Sequence, residues 1–272
     1  METAMKIITL MENTCGAEGV LFEHGLSLYI ETKKHKLLMD TGSSDGFLKN
    51  AEILGIDLTV VDTVFLSHGH YDHSGGILAF SELNPSASIY MQRLAGGDYY
   101  HGERYIGIDK KILTLPQVKL LQGNCKLDEE LSLFTDITGR RYYPQSNLAL
   151  TKKEGEKEEQ DSFAHEQCLV IEEGEEKVLI SGCAHNGILN ILDKYQELYQ
   201  GFPTRVISGF HMMKKTPYTE EEAATILANA RELAGYDTVF YTGHCTGEEA
   251  FALMKPVMGE KLVRLRSGLR VI

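Results

Sequence analysis

Five apolar runs in this chain end on, or a few residues before, a side chain able to bind a metal: LLMD at Asp40, TVFLSH at His68, KVLISGCAH at Cys183 and His185, RVISGFH at His211, and TVFYTGH at His244. Runs this short and this rich in Val, Ile, Leu and Phe read as β-strands, some of them buried on both faces. In open α/β architectures the carboxyl ends of strands form one rim, where ligand-binding residues gather because loops vary while the sheet holds them rigidly. The repeated pattern therefore restricts the chain to a layered α/β fold in which residues distant in sequence meet at one site.

Strands are expected over residues 26–30, 37–39 and 60–66, and helices over 76–83, 188–199 and 220–234, the last opening with a capping box at Thr219 and Glu222. Alternation of the two element types supports the layered reading. Residues from about 87 to 160 are less regular and carry Tyr99, Tyr100, Tyr105, Tyr142 and Tyr143, which predicts an inserted lid or subdomain within a single domain spanning 1–272. The run KKEGEKEEQD over 152–161 reads as a solvated loop or hairpin tip.

The densest chemistry lies in SHGHYDHSGG, residues 67–76. His68 and His70, two apart on an extended segment, can point to the same side, while Asp72 and His73 continue around the turn toward a second position. Two neighbouring metal sites follow, with Gly69, Gly75 and Gly76 placed where the backbone must bend tightly. Catalytic zinc takes about three protein ligands and leaves a place for water. The cluster alone cannot supply two such sites, so His185 and His244 are expected to complete them. His211 is expected as an outer ligand, a substrate contact or a residue behind the ligands. Asp40, in the turn DTG, is expected to accept a hydrogen bond from a ligand histidine or to order the His68 loop.

With DTG at Asp40, HGHYDH at 68–73 and the strand-plus-histidine at His244, the sequence resembles the metallo-β-lactamase-fold superfamily over most of its length. The combination SHGHYDHSGG, GCAHNGILNI, SGFH and TGHCTG looks like the subgroup of dihydropterin-aminobenzene ribofuranosyl phosphate synthases. The resemblance implies a four-layer αββα sandwich, a dinuclear site along the edge between the sheets, and metal-activated water as nucleophile. Two departures stand out. The superfamily's middle histidine has no clean counterpart in FAHEQCLVI, where His165 and Glu166 are both candidates, and its bridging aspartate is replaced by Gly182-Cys183-Ala184-His185. His185 is taken as the ligand there, with Cys183 the alternative. His70 in place of a glutamate leans away from the flavo-di-iron branch, so the expected cofactor is two divalent ions, zinc first, with manganese or iron open.

A net charge of -12 argues against a phosphate-backbone binder, which needs clustered Lys and Arg. No apolar run approaches the roughly 20 residues that cross a bilayer, and residues 1–10 lack a signal peptide's core, so a cytoplasmic protein without a membrane partner is expected. Five cysteines without a C-x-x-C pair fit neither a disulfide framework nor a zinc knuckle. The function expected is a metal-dependent hydrolase, or a related phosphate-ester transferase, acting on a small phosphorylated or aromatic substrate. In it Asp72 would steer the nucleophile, His211 would donate to an anionic oxygen, and Tyr99, Tyr100, Arg104, Arg140 and Arg141 would contact the substrate. A nuclease of the same fold and a non-catalytic metal sensor are the alternatives. Oligomeric state is left open.

Overall fold

A computed structural model describes residues 5–272. Six strands form one sheet in the order Lys6–Met11, Ser27–Glu31, Lys36–Met39, Thr63–Phe65, Ser88–Gln92 and Val118–Leu121. Seven form a second: Leu262–Arg264, Val239–Thr242, Arg205–Ser208, Glu176–Ser181, Cys168–Glu173, Leu131–Phe134 and Cys125–Lys126.

The layering follows from the period of two along each strand. Leu28, Ile30, Leu37, Met39 and Phe65 of the first sheet share one buried core with Leu169, Ile171, Val178, Ile180 and Ile207 of the second. The intervening Tyr29, Leu38 and Val64 turn outward and pack with Phe47, Ala51, Ile77 and Phe80 from helices Gly46–Ile53 and Ile77–Leu83. On the far side, Val170, Leu179 and Val206 meet Ile188, Leu192, Leu233 and Met254 from helices Ile188–Tyr199, Glu220–Ala234 and Glu248–Met258. Both faces of both sheets are thereby covered, giving the helix, sheet, sheet, helix order that the resemblance implies. Each fully buried Leu or Ile contributes about 1.5–3 kcal/mol relative to exposure.

Lys36–Met39 runs parallel to Thr63–Phe65, and Glu176–Ser181, Arg205–Ser208 and Val239–Thr242 run parallel to one another. Their carboxyl ends carry Asp40, His68, Cys183, His185, His211 and His244. The capping box at Thr219 and Glu222 is present as expected.

Two local readings change. The strand expected over 60–66 begins later, at Thr63, because Asp57 accepts the amide of Thr59 and turns Leu58–Val60 into a 3-10 helix. The segment 87–160 is divided: Ser88–Gln92, Val118–Leu121, Cys125–Lys126 and Leu131–Phe134 join the two large sheets. The rest supplies a separate four-stranded sheet of Lys157–Gln160, Leu150–Glu154, Asp98–His101 and Arg104–Tyr105, with its own small core of Tyr99, Ile106, Leu150 and Phe163. The charged run is the second hairpin of that sheet, turning at Gly155. Among the described residues no helix is long and apolar enough to cross a membrane.

Candidate metal centre

Leaving a strand toward a shared rim demands abrupt turns, and the backbone records them. Asp40, Ala184, His211 and His244 each sit just past a strand end with positive φ, at 60°, 51°, 48° and 48°. Such a conformation costs a non-glycine residue on the order of 1 kcal/mol or more, and such strain gathers at functional sites. Gly69, between His68 and His70, is needed for another reason: a Cβ there would collide with the backbone of Ala95.

Five of the expected residues fall into two adjacent groups that share Cys183, which a third group joins to His211 and Cys245. One is His68, Cys183 and His185; the other is His73, Cys183 and His244, with Asp72 joined to His244 and His24. Within each of these sets the ligand atoms lie within 4.8 Å of one another. His70 stands beside the first group, its ring centroid 4.6 Å from His68 and 4.8 Å from His185. Its Nε2 is buried without a hydrogen-bond partner. Cys183 and His185 thus both reach the centre.

Hydrogen bonds behind these rings decide which nitrogen faces inward. Ser67 donates its hydroxyl proton to Asp40 Oδ2 at 2.7 Å, so its oxygen accepts from His68 Nδ1 at 2.8 Å. Asn147 uses its amide nitrogen on the His185 carbonyl at 2.7 Å and turns its oxygen to His185 Nδ1 at 3.0 Å. Asn13 Oδ1 accepts from Gly25 N at 3.3 Å and from His244 Nδ1 at 2.9 Å. Asp40 Oδ2 accepts from His73 Nδ1 at 2.6 Å, and its Oδ1 takes the Ser67 amide at 2.7 Å, which orders the loop before His68. Asp40 therefore both accepts from His73 and orders the loop before His68. All four imidazoles hold a proton on Nδ1 and turn Nε2 to the centre, as outer hydrogen bonds do at metal sites.

Between His68 and His185 the inward atoms are then acceptors facing acceptors. His68 Nε2 is 3.3 Å from His185 Nε2, and His73 Nε2 is 3.2 Å from His244 Nε2. Two imidazole ligands on a tetrahedral zinc ion, each about 2.05 Å away, stand about 3.3 Å apart. Cys183 Sγ lies 3.1 Å from His73 Nε2, and Asp72 Oδ2 lies 3.3 Å from His244 Nε2. The donor set and spacing fit divalent metal ions.

A sequence profile described as the metallo-beta-lactamase superfamily matches residues 21–141. The crystal structure of Tm1679, a metal-dependent hydrolase of the beta-lactamase superfamily, is similar over 98% of both chains, with 32% identity and a TM-score of 0.83. The chain belongs to the metallo-beta-lactamase superfamily. It is also 26% identical to the 7,8-dihydropterin-6-methyl-4-(beta-D-ribofuranosyl)-aminobenzene-5'-phosphate synthase of Methanocaldococcus jannaschii, over 97% of this chain and 95% of that one. An uncharacterized protein of the same organism, MJ0448, is 28% identical over 75% of this chain and 78% of its own. Members of the superfamily typically bind divalent metals such as zinc.

Within this superfamily member, neither candidate in FAHEQCLVI points a free atom at the centre. His165 accepts the Gly69 amide at Nδ1, 2.9 Å, and donates from Nε2 to Asp161 at 3.0 Å, bracing the turn between His68 and His70. Glu166 accepts from the amides of His185 and Asn186 and from the Asn186 side chain, at 2.7–3.0 Å, and so fixes the turn that carries His185.

Electrostatics divides the two groups. Burial, then neighbouring histidines, holds His68 and His185 well below the ordinary histidine value. Burial, with His165 beside it, lowers His70 to about 3. Burial also opposes charge on His73, but Asp40 and Asp72 outweigh it and raise that ring to about 9. Burial pushes Asp72 upward, yet His73 and the hydrogen bond from His24 prevail and hold its carboxyl well below the usual range.

His211 stands where the centre meets a cavity of about 580 Å³ lined by Tyr142, Tyr143, Met212, Tyr218 and Ile226. Its ring is 4.1 Å from that of His185, and its Nδ1 is buried without a partner. Three of the other expected substrate contacts are engaged elsewhere, while Arg140 lies over the ring of Tyr143 at the cavity. Tyr99 donates to the Leu94 carbonyl, Arg141 pairs with Asp193 and Glu232, and Arg104 lies over the ring of Tyr71. Asn13, His24, Ser67 and Asn147 escaped sequence reasoning, because Asn, Ser and a lone loop histidine carry no spacing that marks them.

Proposed function

We propose that the chain is a metal-dependent hydrolase acting on a small molecule through two divalent ions, zinc first. His68, His70 and His185 would hold one ion, and Asp72, His73 and His244 the other. Cys183, common to both groups, would stand between them where the superfamily pattern has a bridging aspartate. One observation carries the reading: His68 and His185 turn unprotonated nitrogens toward each other at 3.3 Å with no donor between them. A cation relieves that opposition.

Bound there, the pair of ions would bring a water's pKa toward about 7 and neutralise charge developing on the attacked centre. The chain's own residues supply the rest. Asp72 orients the nucleophile from the rim, and His211, between the centre and the cavity, donates to an anionic oxygen of the substrate. The cavity is the size of a small-molecule site. Its tyrosines favour a flat ring, and Lys214 inside it is paired with Glu222 at 2.7 Å, which leaves little free charge for the body of the substrate. The relative's name, which joins aromatic rings to a sugar phosphate, supports an aromatic phosphate ester as first substrate class.

The test is metal analysis of purified protein together with a screen of aryl phosphodiesters, thioesters and lactones. About two ions per chain and metal-dependent turnover are expected. A full metal complement in the His68→Ala, His70→Ala double variant would overturn the assignment.

A further inference from the structure

His24 lies in the loop between Lys6–Met11 and Ser27–Glu31, outside every motif that marks the centre. Its side chain is 44% exposed, yet its Nε2 stands 3.1 Å from Asp72 Oδ2, and its ring packs on that of His244 at 4.7 Å between centroids. The approach is built into the loop. Leu26 donates its amide to the Asp72 carbonyl at 3.3 Å, and a Cβ on Gly25 would lie 2.9 Å from that carbonyl oxygen and 2.8 Å from the Ser43 nitrogen. Only glycine lets the loop press so closely on the Asp72 turn.

The hydrogen bonds give His24 the opposite tautomer from its neighbours. Asn13 Oδ1 is committed to Gly25 N and His244 Nδ1, so its amide nitrogen faces His24 Nδ1 at 3.2 Å. An amide nitrogen only donates. His24 Nδ1 must therefore accept, and the neutral ring carries its proton on Nε2, the nitrogen 3.1 Å from Asp72 Oδ2. One asparagine thus sorts two histidines: it turns a lone pair of His244 inward and a proton of His24 onto Asp72.

Resting on the hydrolase reading above, we infer that His24 is a positioning residue: a hydrogen-bond donor that fixes Asp72 Oδ2 toward His73 and His244, and not itself a metal ligand. Asp72 sits on a rim turn, and without this donor its carboxylate can rotate away from the two rings. Partners of this kind change metal affinity by about 10–100-fold.

Two measurements test this. Nitrogen-15 spectra of the metal-free protein at alkaline pH should show His24 as the Nε2–H tautomer and His244 as Nδ1–H; an Nδ1–H His24 overturns the inference whether or not the chain is a hydrolase. In zinc titrations against a chromophoric chelator, His24→Ala should weaken one of the two ions by about 10–100-fold, and His24→Gln, which keeps a donor, should recover most of the loss. An alanine variant that binds like wild type, or a glutamine variant as poor as alanine, overturns it. Wild-type protein that binds no zinc instead defeats the hydrolase reading and leaves the tautomer result standing.

Discussion

The two halves of the centre are built from the same ring and differ in what stands behind it. His68 and His185 are backed by a hydroxyl and an amide, Ser67 and Asn147, and both rings stay neutral. His73 is backed by the buried carboxylate of Asp40 and faces Asp72, which holds a proton on it to about pH 9. In the metal-free protein a proton therefore occupies the acidic half, while the neutral half keeps two lone pairs opposed. The acidic half should bind its ion more tightly but exchange it for a proton; the neutral half should bind more weakly and without that exchange.

The largest expected effect comes from removing the charge that distinguishes the halves. Asp72→Asn should cost turnover and the acidic-half ion about a hundredfold or more, exceeding the loss typical of outer partners. The melting profile should stay near normal, because Asp72 lies on a rim turn and not in an apolar core. Equal loss from both halves would break the comparison, and room-temperature unfolding would make Asp72 structural.

Smaller effects should follow from the neutral amides behind the rings. Asn147→Ala and Asn13→Ala should each weaken metal binding by about 10–100-fold, the first in the His185 half and the second in the His244 half. Competition titrations that resolve two binding steps would show a different step moving in each variant. The same step moving in both would mean that the halves do not load separately.

The subtlest difference is in titration. In the metal-free protein His73 should lose its proton near pH 9, while His68, His70 and His185 stay neutral from pH 7 upward. His73 is raised above its unfolded value of about 6.5, so its contribution to stability is fully present below that pH and lost as the pH climbs through 9. Imidazole resonances followed by NMR, with zinc added last to discharge His73, would check both signs. No histidine titrating above pH 8 would erase the electrostatic contrast.

Much of the centre was legible because its signals are local. His68, His70, Asp72 and His73 are crowded into one turn, and Asp40, His185 and His244 each follow a strand recognisable from its own residues. Alternation along those strands also announces the layers, since Leu28 and Ile30 face one core and Tyr29 the other. The boundary near Val60 was missed because Asp57, three residues earlier, captured the backbone. The segment 87–160 misread as one insertion because the short strands it lends to the large sheets take their partners from distant parts of the chain, as Leu131–Phe134 does from Cys168–Glu173.

By itself the sequence determined the fold class, the rim and the residue types gathered on it, because strand periodicity and motif spacing are properties of neighbouring residues. Tertiary structure alone decided which nitrogen of each histidine is free, that Cys183 and His185 both reach the centre, and that His165 and Glu166 serve the turns around it. Those outcomes depend on hydrogen-bond partners such as Asn13 and His244, which are 231 positions apart. A side chain's tautomer is set by the one group that folding places behind it, and nothing in the residues beside it in the chain specifies that group.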